Sequence, residues 1–290
     1  MHNYGLYRDS SSNYQYFKYL ALSFNEGRLD VKQCPPNSQC HDLVLYNDKI
    51  YLYWPPVPAL VYIPLVAYFG LETPDKAISH IFGGINILLF SLLILQFSNL
   101  FNLKIRFWQN ALFTIFYGLG TVHFYLSMDG LVWSFAQILG QTFLLTSTLI
   151  FLSSPSRFNN LFWSGLFFGL MCYTRNNMLF YIFLFLGVAI PFFPNFKWKQ
   201  IVARMLVFVL PFLVFSVINM WYNYARFGKI FENGLQYHQM AGGYKKNFDK
   251  HGYFSTKYVP DNLWVEVFSP PVLIDKFPFF RNTKNKNDDL

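Results

Sequence analysis

Long runs without a charged side chain dominate this 290-residue chain. Some fifty polar and aromatic positions come first, and then six such runs: Ala77–Leu103, Phe107–Met128, Gly130–Ser156, Phe158–Thr174, Asn176–Phe196 and Met205–Ala225. An α-helix crosses a bilayer with roughly 17 to 25 apolar residues, so each run is long enough to span. Barrel strands would be shorter and alternate in polarity, a pattern these runs lack. The pattern predicts an all-α, polytopic transmembrane protein of about six spans. Four segments follow: an outer loop over residues 1–57, a juxtamembrane helix over 58–71, a helical membrane domain over 76–225 and a tail over 226–290.

One further apolar stretch is ambiguous. Ile50–Leu71 has no charge, but Pro55, Pro56, Pro58 and Pro64 each remove a backbone donor, which is costly in lipid. Pro58–Phe69 is only about three helical turns, roughly 18 Å. It reads as a short helix lying at the interface, with Tyr51, Tyr53 and Trp54 at headgroup level. On that reading residues 1–57 lie outside; were the stretch to span, they would be cytoplasmic.

Composition agrees. The chain is 53% hydrophobic and 21% aromatic, and its 13% of charged residues is half the roughly 25% usual in globular domains. A net charge of +8 invites a nucleic-acid reading, yet the basic residues fall mostly in loops between runs, where membrane topology accounts for them. One set of alternate loops holds Lys104, Arg106, Arg157, Lys197, Lys199 and Arg204; the other holds Arg175 beside Asp129. Six cations against one assign the first set to the cytoplasm. Residues 1–57 and the tail then share the outer side with Arg175. The polar start of the chain lacks the pattern of a cleavable signal peptide.

The outer segments carry the candidate chemistry. "YLALSFNEGRLDV" (Tyr19–Val31) reads as an amphipathic helix stopped by Gly27, with Leu20, Phe24 and Tyr16 on one face. The acids Asp9, Glu26, Asp30, Asp42 and Asp48 are nearby, and each alone reads most simply as a solvated loop charge. Cys34 and Cys40 in "CPPNSQC" could close a small disulfide loop outside the cytoplasm, or stay as thiols. Cys172 lies within a run and reads as packing. The six His are scattered, none with a second ligand at metal-site spacing; His80 and His123 read as polar residues between helices. Arg175 in "MCYTRNNM" is either a turn residue snorkelling to water or a guanidinium fork for a phosphate. The tail shows no helix period over its first thirty residues; "DNLWVEVF" (Asp261–Phe268) reads as a short helix with an Asp cap, and "RNTKNKNDDL" as disordered. Walker, dinucleotide and Ser-elbow motifs are absent.

Four stretches in one order resemble a known family: "YLALSFNEGRLDV", "HDLVLYNDKIYLYWPPVPALVYIPLVAYFG", "GLFFGLMCYTRNNMLF" and "WYNYARFGKIFENGLQYHQMAG". Their order and spacing are similar to bacterial membrane glycosyltransferases of the GT-C superfamily, near the protein O-mannosyltransferase and aminoarabinose transferase groups. The resemblance implies transfer of a sugar from a polyprenyl-phosphate donor to an acceptor on the outer face of the bacterial inner membrane. It implies an acidic base early in the first loop, with Asp9 the nearest upstream acid and Asp42 the second candidate. Arg175, with His41, matches the basic residues that hold the lipid phosphate. The expected partners are that donor, membrane lipids and an unidentified acceptor, with no nucleic acid; no cofactor is called for, and whether a divalent cation assists is left open. Two departures accompany it. The family has a spanning helix before the first loop and further helices after the tail, so the chain is expected to be a fragment, and Asn13 stands near where the base belongs. The alternatives are an inactive remnant of the same fold and a transporter or flippase of lipid-linked precursors, which would favour broken or charged helices and related halves.

Overall fold

A computed structural model describes residues 14–36, 38, 40–189, 196–238, 242–252, 255–273, 275 and 280–281. Asp9, the resemblance's first candidate base, lies outside the described residues, as does the polar run after Arg281. The chain divides into two compact units, 1–237 and 238–290. Residues 226–237, expected as the start of the tail, belong to the first unit.

In the first unit a loop layer precedes the long helices. It consists of α1 (Tyr16–Asn25), a hairpin of β1 (Leu43–Tyr46) and β2 (Lys49–Leu52), and α2 (Val57–Phe69). Then follow α3 (Asp75–Leu100), α4 (Phe107–Leu119), α5 (Val122–Asp129), α6 (Val132–Ser153), α7 (Phe158–Cys172), a 3-10 segment (Asn176–Tyr181), α8 (Ile182–Ala189) and α9 (Trp198–Phe227). The second unit holds α10 (Gly242–His251), α11 (Val259–Leu263) continuing as a π-turn over Trp264–Phe268, and a two-stranded pairing of β3 (Val272–Leu273) with β4 (Phe280–Arg281). The helix expected over Asp261–Phe268 starts two residues earlier, with Pro260 and Asp261 in its first turn. α10 forms where no helical period is visible.

Among the described residues, three helices are long and apolar enough to cross a membrane: α3, α6 and α9. α4 and α5 would make a fourth as a pair bent by 52°. The bend falls at Gly120, after which the Thr121 hydroxyl accepts from the His123 amide at 3.2 Å and starts α5 afresh. The run Phe158–Thr174 yields α7, 15 residues and so about 22 Å long. The run from Asn176 opens as the 3-10 segment, and its described residues give eight residues of α-helix up to Ala189.

α3, α6, α7 and α9 pack in sequence, α3 on α6, α6 on α7 and α7 on α9. Small residues permit the closest approaches. A Cβ on Gly165 of α7 would collide with the Phe208 carbonyl of α9, so no larger residue fits there. Buried hydroxyls and amides bind the helices together: Ser147 and Ser164 each donate to the other's carbonyl, at 2.7 and 2.9 Å. Asn86 donates to Ile138 O at 2.9 Å and accepts from Thr142 at 2.6 Å. Lys104 lies between α3 and α4; Arg106, Arg157 and Lys197 immediately precede α4, α7 and α9, and Lys199 and Arg204 stand in the first two turns of α9.

α1 is shorter than expected and is not amphipathic in its surroundings. It ends at Asn25, where Gly27 takes φ +69° and the amides of Gly27 and Arg28 return to Phe24 O and Ser23 O. Tyr16, Phe17, Lys18, Tyr19, Leu20, Ala21 and Ser23 are all buried, because α2 covers one side and Phe135 and Leu139 of α6 belong to the same core. Lys18 is enclosed with them; its Nζ donates to Thr73 O at 2.8 Å and Leu71 O at 3.2 Å. Burial depresses its pKa, opposed by the charges of Asp75 and Glu72. Cys34 and Cys40 form a disulfide, which closes the question the sequence left open.

The hairpin is the departure from an all-α first unit. Asn47 and Asp48 both adopt positive φ, 48° and 59°, so they make the type I′ turn that matches strand twist. Val44 and Tyr51 pack on Phe227 at the end of α9. Beside them Arg226 is buried; its Nη1 donates to Leu52 O at 2.8 Å and Nη2 to Asn223 Oδ1 at 2.9 Å.

Candidate functional site

The hairpin register decides what Asp42 faces. Leu43 pairs with Leu52, so the residues just outside the ladder, Asp42 and Tyr53, are opposite one another. The Tyr53 hydroxyl donates to Asp42 Oδ1 at 2.9 Å. The chain entering Asp42 is pinned on two sides: the Cys34–Cys40 disulfide closes the preceding loop, and the Tyr16 hydroxyl donates to Ser38 O at 3.2 Å. Burial raises the pKa of Tyr16, and the neighbouring Asp42 charge adds to the rise.

From Tyr53 the site continues into an aromatic wall. Trp54 stacks on Tyr53 with centroids 5.5 Å apart, and the Arg175 guanidinium sits 5.0 Å above the Trp54 ring. Arg175 is half-buried and donates to Trp133 O, at the start of α6, across 3.2 Å. Trp133 in turn meets Tyr14 at 4.8 Å and His41 edge-on at 6.4 Å. One corner of the first unit thus gathers Asp42, His41 and Arg175 from the loop before β1 and the turn after α7. Asp9 is not among the residues whose place is described.

Two polar atoms in this corner are buried without a hydrogen-bond partner among the described residues: Asp42 Oδ2, an acceptor, and Trp54 Nε1, a donor. Each such atom costs on the order of 1–3 kcal/mol unless a partner satisfies it, so one acceptor and one donor here are open to a polar partner. Arg175 adds a forked cation suited to a phosphate. The corner can take a proton at Asp42, offset negative charge at Arg175 and stack a ring against Trp54 or Trp133.

Sequence reasoning missed Tyr53, Trp54, Trp133 and Tyr14 as members; Tyr53 and Trp54 were assigned to the headgroup level. Their signal was the register: "YNDKIY" holds a two-residue turn between apolar–aromatic strands, and reading it places residue 53 against residue 42.

A second polar cluster lies at the bend between α4 and α5. His123 is buried with both ring nitrogens lacking partners among the described residues, 4.7 Å from the ring of Tyr117, whose hydroxyl is likewise unpaired. Among the described residues no group of three His, Cys, Asp or Glu could hold a metal ion. No protein-family model matches this chain, and neither a characterised protein nor a solved structure is significantly similar to it.

Proposed function

We propose that this chain is an integral membrane transferase of the GT-C kind, passing a sugar from a polyprenyl-phosphate carrier to an acceptor on the outer face of the membrane. The observation that carries the reading is the meeting of a buried, half-satisfied carboxylate, Asp42, with the Arg175 guanidinium across Tyr53 and Trp54. In the proposed reaction the acceptor hydroxyl gives its proton to Asp42 as its oxygen bonds to the anomeric carbon. The bond from that carbon to the phosphate oxygen breaks, and the lipid phosphate leaves with the electron pair against Arg175, with His41 at the rim. Tyr53 holds Asp42 in orientation, and Asp9 is the alternative base.

Six spans, with α7 and the 3-10 segment plus α8 as short ones, fit this reading. The outer placement of the loop layer is supported by the six-to-one distribution of cations and by a disulfide, which persists in oxidising compartments. The test is release of polyprenyl phosphate from a panel of polyprenyl-phosphate-linked hexoses and pentoses in proteoliposomes. Asp42→Asn is expected to lower release by about 10²–10⁴-fold at unchanged membrane insertion. Arg175→Gln is expected to weaken donor binding as well. Native release from both variants would remove the proposed site.

A transporter of lipid-linked precursors is the second reading, favoured by the bent α4–α5 pair with its buried, unpaired His123. It predicts that the donor crosses the bilayer intact, with no polyprenyl phosphate released.

A further inference from the structure

We infer that the second unit carries its own membrane-docking surface, a lipid-bound face on the helix over 259–268. That helix exposes Val259, Leu263, Trp264, Val267 and Phe268, each between 49% and 65% accessible. Their spacing, i, i+4, i+5, i+8 and i+9, places them along one side, while Asp261 and Asn262 are elsewhere on the turn. Five large apolar side chains in one stripe, two of them aromatic, form a patch that a water-facing helix of this size does not need.

Two observations select a bilayer as the occupant. First, the stripe is flanked by cations. Lys245, Lys246 and Lys250 on α10 and Lys257 just before the stripe are exposed, interspersed with the exposed acids Asp249 and Asp261, and the Tyr258 hydroxyl ties the two helices by donating to Asn247 O at 3.1 Å. Lysines beside Trp and Phe suit anionic headgroups over an apolar layer, the composition of helices that lie in an interface. Second, the chain itself supplies the membrane. The stripe begins some thirty residues after α9, whose most apolar stretch is only 11% buried within the protein. A linker of that length, extended by at most about 3.5 Å per residue, keeps the stripe within reach of the lipid that would cover α9. The docking therefore rests on the spans lying in a bilayer and is independent of sugar transfer.

The test uses the full chain carrying Cys172→Ala, with the Cys34–Cys40 disulfide intact. Single cysteines replace Leu263, Val267 and, off the stripe, Asn262; each carries an environment-sensitive fluorophore in proteoliposomes containing phosphatidylglycerol. The expected result is blue-shifted emission at residues 263 and 267 that brominated phospholipid quenches, with neither effect at 262. Replacing phosphatidylglycerol by phosphatidylcholine should reduce the quenching, as the lysines lose their partners. Water-like emission on the stripe would overturn the inference. A blue shift without quenching would overturn it too, since protein and not lipid would then cover the stripe. The same label at Leu92, exposed on α3, reports the spans; its escape from quenching would overturn the membrane-spanning reading along with the docking.

Discussion

α6 and α9 are both long enough to cross a bilayer, yet they stand in opposite surroundings. Of its most apolar 18 residues α6 buries 67% within the protein, whereas α9, the more apolar helix, buries 11%. In water the greasier helix would be the one inside. The reversed order is what lipid as solvent allows: α9 presents Leu210, Leu213, Val214 and Val217 outward, while α6 spends its positions on neighbours and carries Ser134, Thr142, Ser147 and Thr148 buried among them. Lipid tails are as apolar as Leu, so apolarity alone draws no helix inward; close packing and hydrogen bonds do that work.

The largest effect should come from breaking the outward face of α9. Leu213→Lys puts a charge near the middle of that helix, where insertion is expected to lose about 3 kcal/mol. The fraction of chains inserted into microsomal membranes measures it. If α9 faced water the exchange would cost almost nothing, and the contrast with α6 would collapse. A smaller effect is expected inside α6's contacts. Asn86→Ala removes the bonds to Ile138 O and Thr142 and should cost about 1–2 kcal/mol in detergent-micelle unfolding, with insertion unchanged.

The smallest effect sharpens the comparison with α1, which is as enclosed as α6 but encloses a cation. Lys18 has a native pKa below its ordinary 10.5, mainly through burial. Between the native value and 10.5 the unfolded chain binds more protons than the native one, so stability should rise with pH through that window. Unfolding midpoints taken up to about pH 10.5 measure it, and Lys18→Met should flatten that rise.

The long helices were legible because apolar runs of about twenty residues without a charge are rare outside a bilayer. The bend at Gly120 was less so, since a glycine and a threonine within an apolar run are tolerated in intact helices as well. Asp42 and Arg175 were visible as separate oddities, polar residues bordering apolar runs. That they meet was not, because the meeting depends on a hairpin register set by Asn47-Asp48 rather than by the more telling Asn-Gly, and on where α7 ends. Trp133 joins the corner through its ring contacts with Tyr14 and His41 and through its backbone carbonyl, which accepts from Arg175, and a sequence announces none of these. Lys18 stands outside the helix expected over Tyr19–Val31, and nothing in the residue pattern signals that the helix starts early enough to enclose it.

Arg226 sets a schedule for biosynthesis. Its guanidinium holds the carbonyl of Leu52, a residue made 174 positions earlier. A ribosome has therefore delivered the hairpin, with Asp42 at one side and Tyr53 at the other, long before the clamp that fastens it emerges. Through the synthesis of α3 to α8 the hairpin lacks its partners on α9, Arg226 and Phe227, which arrive with the last turn of that helix. A nascent chain stalled before residue 226 would carry every group of the candidate site and still lack the fastening that holds its hairpin to the helices.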